Sequence, residues 1–471
     1  MVAENVPESE VKAADRPTAG PGAALLYLVG SLVQGLGLLL IQPFAIRLLD
    51  PVQWGQVSTS VVAIQVVVVL ISAGLPLAIT RLWFDRDDGK VRSRAMYGFL
   101  ALAAVLFGAA GALIVAWITM ASDGRVAWPS VMSMLAIGLL GPVLGAQAVL
   151  RAQNRPLAFV ALSLVSSVAA NLAGLGAILL ASASATSYLV AYTAAVALAA
   201  AVAVALVRPK TPWRVHNVMR ESVGIALPLL PHTGALMLLT QGAVLLLAFL
   251  AGAVPAGQFG AVLIFALGPL TLLNALNNAW STRLMQAPPG TLPGLLHAVA
   301  TEALLASAAI GVLASAAASA GSIILTPSPD QLAPVARILP LVSVGYGLFL
   351  VATNVVYILE KTRAMSYTTP LILVVVAASS VPFATSGNLS AVAAVQAAGF
   401  ILLGLAYCLV VRRQTPASWP LGLFVILLAV HAGVVATLSL FPPTLFAGAV
   451  EIAVVGLLIL VSGYAKLKKI R

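Results

Sequence analysis

Charged side chains are scarce in this sequence: Asp, Glu, Lys and Arg together supply 8% of its 471 residues, against roughly a quarter in a soluble domain. So few charges cannot cover a water-exposed surface, which excludes an ordinary soluble globular protein. Cysteine is almost missing. Cys408 stands alone in an apolar run, so no disulfide can close within the chain and no cysteine metal site can form; it reads as a small buried or lipid-facing residue. Acids are outnumbered, 14 to 25 basic residues, and only Glu302 and Glu451 fall deep inside apolar stretches. No Walker, zinc-binding or nucleophile motif appears. Their absence argues against ATP-driven transport by this chain alone, and no catalytic residue, metal or cofactor is expected.

What is present is apolar length. Hydrophobic residues make up 61% of the chain and the mean hydropathy is +1.06. Run after run of about 20 apolar residues matches a bilayer core of about 30 Å. The period-two alternation of a membrane barrel is absent, so the spans are helices, which satisfy their own backbone in lipid. Breaks at charges, Pro and Gly predict an all-α membrane protein of fourteen spans, at 22–48, 55–81, 94–120, 128–150, 157–181, 186–207, 222–251, 257–282, 294–320, 334–359, 366–386, 389–411, 419–440 and 445–465. The first 21 residues are polar, with Glu4, Glu8, Glu10, Lys12, Asp15 and Arg16, and predict a disordered tail with no cleavable signal peptide.

Basic residues orient the spans, because Lys and Arg favour cytoplasmic loops. With both termini in the cytoplasm, 22 of the 25 basic residues fall on the inner side, and only Arg47, Arg125 and Arg337 do not. Inserting or deleting one span would scramble this pattern. The net charge of +11 is then topology and contact with anionic lipid, not a nucleic-acid footprint.

The chain also repeats itself. Gln53-Trp54-Gly55 follows the first span and Gln258-Phe259-Gly260 follows the seventh, an offset of 205 residues, and the same offset carries Arg208 onto Arg413. The predicted organisation is a tail at 1–21, a first lobe of six helices at 22–208, a second at 209–413, and two appended helices with a basic tail at 414–471. Six helices per lobe leave both lobes in one orientation, related by an axis along the membrane normal, a transporter plan with its site between the lobes.

On these residues the chain resembles the polysaccharide flippases (O-antigen, Wzx-type) of the multidrug/oligosaccharidyl-lipid/polysaccharide exporter superfamily. Arg47-Leu-Leu-Asp-Pro-Val-Gln-Trp-Gly55 is similar to their signature between the first two helices, Gly74-Leu-Pro-Leu-Ala-Ile-Thr-Arg81 to the ending of their second, and Leu227-Pro-Leu-Leu-Pro231 to the Pro-rich opening of their second half. These motifs touch about 50 residues; the likeness in topology covers most of the chain. The resemblance implies a two-lobed, alternating-access transporter in the bacterial cytoplasmic membrane that carries undecaprenyl-pyrophosphate-linked oligosaccharide outward, in company with membrane lipids, glycosyltransferases and a polysaccharide polymerase. One departure stands out: where many relatives carry an Asp in the middle of the seventh helix, this chain reads Leu239-Thr-Gln-Gly-Ala243.

A flippase must give pyrophosphate and sugar a polar path while the polyprenyl tail stays in lipid. Intramembrane polar residues are costly and face such paths. Arginine suits pyrophosphate because its fork donates two parallel hydrogen bonds. The candidate binding residues are therefore Arg47, which breaks the positive-inside trend, Arg81 and Arg283 at the inner ends of the second and eighth spans, and Arg337. Asn274 and Asn278, i and i+4 on one helix face, and Gln34 are candidates for the sugars. Gln42, Gln65, Gln147, Asn171, Gln241, Asn354 and Gln396 add amides that can equally bond helix to helix. Glu302 is the ion-coupling candidate, because Glu451 lies outside the two lobes. Two rival readings remain: a multidrug exporter of the same fold, which would want acidic residues in its first lobe, and a membrane glycosyltransferase or ligase, which would want catalytic carboxylates or a large external loop.

Overall fold

The computed structural model describes residues 41–85, 88–288, 291–412 and 419–468, together with Leu26 and Gly30. The predicted tail and most of the first span, with Gln34, lie outside the described residues. Residues 41–48 are helical. After them come α1 (Pro51–Ser72), α2 (Leu75–Leu82), α3 (Gly89–Asp123), α4 (Trp128–Ala152), α5 (Pro156–Ser163), α6 (Ala170–Leu180) and α7 (Ala185–Val207). The remainder are α8 (Val218–Leu250), α9 (Ala253–Val262), α10 (Ile264–Met285), α11 (Leu292–Leu325), α12 (Pro329–Ile338), α13 (Val342–Ile358), α14 (Thr362–Thr385), α15 (Leu389–Arg412), α16 (Leu421–Leu438) and α17 (Leu445–Lys468). Among the described residues no strand occurs. Among the described residues eleven helices are long and apolar enough to cross a membrane, or twelve when α9 and α10 are taken as one bent span.

Several predicted spans are interrupted. The span expected at 55–81 breaks where Ala73 and Gly74 adopt φ of 34° and 79°, the left-handed region that ends helices; Pro76 then opens α2, its fixed φ suiting a first turn. The span expected at 257–282 starts earlier, at Ala253, and bends by 42° between α9 and α10. The span expected at 157–181 carries a π-helical turn at Leu164–Ala169, and the one at 334–359 a 3₁₀ turn at Leu339–Leu341. Elsewhere boundaries move by a few residues, as at α3 and α8.

The start of α1 explains the most family-like stretch of sequence. Asp50 caps it, its Oδ1 accepting from Val52 N and Gln53 N at 2.9 Å each, and Pro51 occupies the first turn, where a missing N–H costs nothing. Gln53 Oε1 in turn accepts from Ala185 N at 2.6 Å, tying the start of α7 to α1.

The buried apolar residues group mostly by half. One cluster joins Ile41, Trp54 and Ile64 to Ile137, Tyr188 and Val196, and takes in Ala261 from beyond residue 208; a second joins Ile79, Tyr97 and Leu100 to Val149, Ala203 and Val218. The largest runs from Leu239 to Phe424, with Val62 and Val66 of α1 as its members from the first half. A fourth, small cluster of Ala316, Leu438 and Val455 seats α16 and α17 on α11. Lipid gives helices no hydrophobic reason to associate, so small residues that allow close approach matter most. A methyl on Gly108 would sit 2.6 Å from Gly138 Cα, and one on Gly345 2.5 Å from the Phe400 backbone. Helices α3/α4 and α13/α15 therefore touch backbone to backbone.

Candidate functional site

The two copies of the internal repeat meet. Gly55 and Gly257 lie in direct contact: a methyl on Gly257 would be 2.7 Å from Gly55 Cα, and one on Gly55 would be 2.0 Å from the Ala253 carbonyl oxygen. Around this contact the first half donates three hydrogen bonds to the second. Trp54 Nε1 donates to Gly257 O at 3.0 Å, Gln42 Nε2 to Ala261 O at 2.6 Å, and Arg47 Nη2 to Ile323 O at 3.0 Å. Trp54 and Gln42 are buried. We call this the seam, and the end of the bundle that holds it the seam end. Arg47 remains exposed, and its Nη1 also donates to Pro43 O at 2.5 Å.

Toward the opposite end, α10 carries a polar stripe. Thr271, Asn274, Asn278 and Thr282 share one face and are exposed, spaced by three, four and four residues as one helix face requires. Leu272 and Leu276 are exposed on the flank. The rear of the stripe is tied to neighbouring helices. Tyr346 OH donates to Asn274 Oδ1 at 3.0 Å, and Asn354 Nδ2 donates to Asn277 Oδ1 at 2.9 Å. One turn further, Glu302 of α11 accepts from Trp280 Nε1 at 3.1 Å and from Arg283 Nη1 at 2.6 Å. Both members of this ion pair are about half exposed, 46% for Arg283 and 51% for Glu302, so solvent screens the attraction. An open cleft of about 440 Å³, lined by His297, Ala298, Thr301, Glu302 and Leu305, adjoins the pair. Arg81 is exposed in the last turn of α2.

The structure thus brings Asn274, Asn278, Arg283 and Glu302 together on α10 and α11. It places Arg47 at the seam and Arg337 in neither location. Arg337 is 2% exposed; its Nε and Nη2 donate to Ser319 Oγ at 3.0 and 2.7 Å, and Nη1 and Nη2 both donate to Phe441 O at 3.2 Å. Most of the scattered amides bond helix to helix: Gln147 to Ser163, Asn171 with Tyr188, and Gln396 to the carbonyls of Leu239 and Thr240. Two features went unread in the sequence. One is the role of Trp54 and Gln42 as cross-half donors, which the repeat itself could have signalled. The other is the Arg92–Glu221 ion pair at 2.6 Å, which ties the start of α3 to the start of α8 and has no sequence signal.

The bent helical bundle of the described residues, with its repeat copies in contact, has the fold of solved transporters of the multidrug/oligosaccharidyl-lipid/polysaccharide (MOP) exporter superfamily. Three solved structures share that fold. The lipid II flippase MurJ in an inward closed conformation matches at a TM-score of 0.73 and 11% identity, over 95% of this chain and 100% of that one. A MOP superfamily transporter from Pyrococcus furiosus matches at 0.60 and 11%, over 84% and 94%. An inward-facing multidrug resistance MATE family transporter matches at 0.57 and 13%, over 83% and 94%. Among curated proteins none matches the sequence. Residues 20–281, more than half of the chain, match the polysaccharide biosynthesis protein family; the chain belongs to that family.

Proposed function

We propose that this protein is an alternating-access flippase that moves an undecaprenyl-pyrophosphate-linked oligosaccharide from the inner to the outer leaflet of a bacterial cytoplasmic membrane. The observation that carries the reading is a polysaccharide biosynthesis family chain folded as a MOP transporter, with its two repeat copies closed on one another. In this reading the chain has fourteen spans with both termini in the cytoplasm, two six-helix lobes at 22–208 and 209–413, and two appended helices. The seam end is then the outer end, and the Arg92–Glu221 pair lies on the inner side.

The lining residues divide the work by chemistry. Asn274 and Asn278, with Gln34 of the first span, offer amide donors and acceptors to sugar hydroxyls. Arg283 and Arg81 at the inner mouth meet the pyrophosphate first. Glu302 holds the Arg283 guanidinium in place and hands it to the phosphate when substrate enters; the carboxylate left behind is where coupling to an ion would act. At the outer end Arg47 spends its donors on the Pro43 and Ile323 carbonyls while the seam is shut. Opening the seam frees them for the arriving pyrophosphate; Arg337, enclosed with its donors on Ser319 and Phe441, holds helices together rather than meeting substrate. The protein transports and does not catalyse, and its partners are the enzymes that build the lipid-linked glycan inside and polymerise it outside.

Deleting the gene tests this reading. The lipid-linked glycan should accumulate on the inner leaflet while the surface polymer is lost. Normal export of the precursor together with a missing sugar transfer would overturn it in favour of a glycosyltransferase. Normal export with retention of a cationic dye would favour a multidrug exporter.

A further inference from the structure

The walls available to the path carry almost no charge. Within the fourteen expected spans the sequence places six charged residues: Arg47, Arg81, Arg94, Glu302, Arg337 and Glu451. Arg47, Arg81 and Arg94 stand at or next to span ends. Glu302 holds Arg283 at the inner mouth. Arg337 and Glu451 face each other at 3.7 Å, with side chains 2% and 9% exposed, enclosed between α11, α12 and the appended helices. Between the inner mouth and Arg47, a cargo therefore meets no unpaired cation or carboxylate.

The wall offers neutral polar groups instead, and the hydrogen bonds already made decide which of them are free. Thr271 and Thr282 donate their hydroxyl protons to the Leu267 and Asn278 carbonyls at 2.8 Å each, so outward they present lone pairs only. Asn274 spends one N–H on the Leu270 carbonyl at 3.0 Å, and its Oδ1 accepts from Tyr346 OH. Asn278 is exposed, and its side chain makes no hydrogen bond among the described residues. It keeps two donors and a carbonyl free.

This set answers sugar hydroxyls and acetamido groups, which both donate and accept. It cannot answer a sugar carboxylate with a charge. An ionised carboxylate taken out of water without a partner is heavily penalised, and bonds to neutral donors are about half as strong as charge-assisted ones. A cationic cargo lacks a partner for the same reason.

We propose that the glycan carried along this path is uncharged, built of neutral or N-acetylated sugars, so that the pyrophosphate is the cargo's one anionic group, and that Asn278 is the glycan's principal hydrogen-bonding partner on α10. This inference rests on the flippase reading and narrows its substrate.

The test compares two probes in vesicles holding the whole protein at neutral pH. Both are undecaprenyl-pyrophosphate-linked trisaccharides ending in galactose; the middle sugar is glucose in one and glucuronic acid in the other. Galactose oxidase added outside reaches only glycan in the outer leaflet, so the inner pool becomes oxidised only after flipping. The neutral probe should lose its protected pool. The uronate probe should lose its own about 100-fold more slowly or worse, the scale of a buried carboxylate without a partner. Asn278→Ala should slow the neutral probe by about 2- to 10-fold. Asn278→Arg should narrow the gap between the probes by about tenfold or more, because a guanidinium supplies the missing partner. Equal rates for the two probes, or a faster uronate probe, would overturn the neutral-glycan inference and leave the flippase reading standing. A gap that Asn278→Arg leaves unchanged at matched incorporation would overturn the assignment of Asn278. Lasting protection of both probes, with protein that elutes as a monodisperse species, would overturn the flippase reading and this inference with it.

Discussion

Gly55→Ala is the sharpest perturbation of the seam. An added methyl would stand 2.0 Å from the Ala253 carbonyl oxygen and 2.9 Å from its Cβ. Non-bonded heavy atoms settle near ~3.5 Å, so α1 and α9 must part by about 1.5 Å. Both groups in the clash are backbone or Cβ, with no flexible side chain to swing aside. That displacement takes the Trp54–Gly257 and Gln42–Ala261 bonds out of hydrogen-bonding range. Overpacking costs about 1–3 kcal/mol, and each lost neutral bond about 0.5–1.5 kcal/mol more. The closed state then loses about 2–6 kcal/mol, and the lower figure is already about 30-fold in an equilibrium constant. Ala261 is 0% exposed beneath the seam; an Ala261→Cys reporter, made in a Cys408→Ala background and reconstituted in vesicles with the seam end outward, should be labelled by a membrane-impermeant maleimide correspondingly faster in Gly55→Ala at matched expression and unchanged elution by gel filtration. Equal labelling rates in the two proteins would show that the contact of the repeat copies does not gate access from that side.

Further expectations follow from other sites. Arg47→Ala should depress glycan export by about 10- to 150-fold, the worth of a charged hydrogen bond of ~1.5–3 kcal/mol, while Arg47→Lys recovers part because it keeps the charge without the fork; full export by Arg47→Ala at normal abundance would reduce Arg47 to a headgroup anchor. Arg283→Ala should weaken export more than Glu302→Gln does, since the arginine meets the anion itself; the reverse order in a complementation assay would make Glu302 the primary group. Cysteines at the exposed positions Ser122 and Ser386 should react with impermeant reagent in intact cells while one at the exposed Lys90 does not; reaction at Lys90 would refute the fourteen-span orientation. Gly108→Leu should lower thermal stability, as overpacking at the Gly108–Gly138 contact costs about 1–3 kcal/mol, read as earlier loss of the monodisperse species on heating.

The membrane class, the helical spans and the family were legible because each rests on a repeated or local signal. Apolar length marks the spans, and Asp50-Pro51 announces a helix start that the structure then shows capped. The break at Ala73–Gly74 was less legible: a Gly-Leu-Pro string inside an apolar run reads as a tolerated kink, and only φ values in the left-handed region end the helix there. The polar stripe was half read. Asn274 and Asn278 follow from helix spacing, whereas the Trp280 and Arg283 bonds to Glu302 join residues 22 and 19 positions apart on different helices, and spacing along one helix says nothing about a partner on the next. Arg337 shows the same gap. Sequence places it near a span end, where snorkelling is the ordinary expectation, and it is instead enclosed by Ser319, Phe441 and Glu451.

The direction of the seam bonds carries a genetic consequence. All three side-chain donors, Gln42, Arg47 and Trp54, belong to the first half, and all three acceptors are main-chain carbonyls of the second. The second repeat copy has Phe259 where the first has Trp54, so it has no ring N–H to return. No side-chain replacement can delete a backbone carbonyl. A screen for leaky or locked variants should therefore recover polar-to-apolar changes in residues 42–54. From residues 253–261 it should recover only changes of bulk. Compensating pairs should match a shortened donor in one half with a lost methyl in the other. At the contact of the two halves one supplies the adjustable chemistry and the other the fixed surface, and selection on closure would act on them unequally.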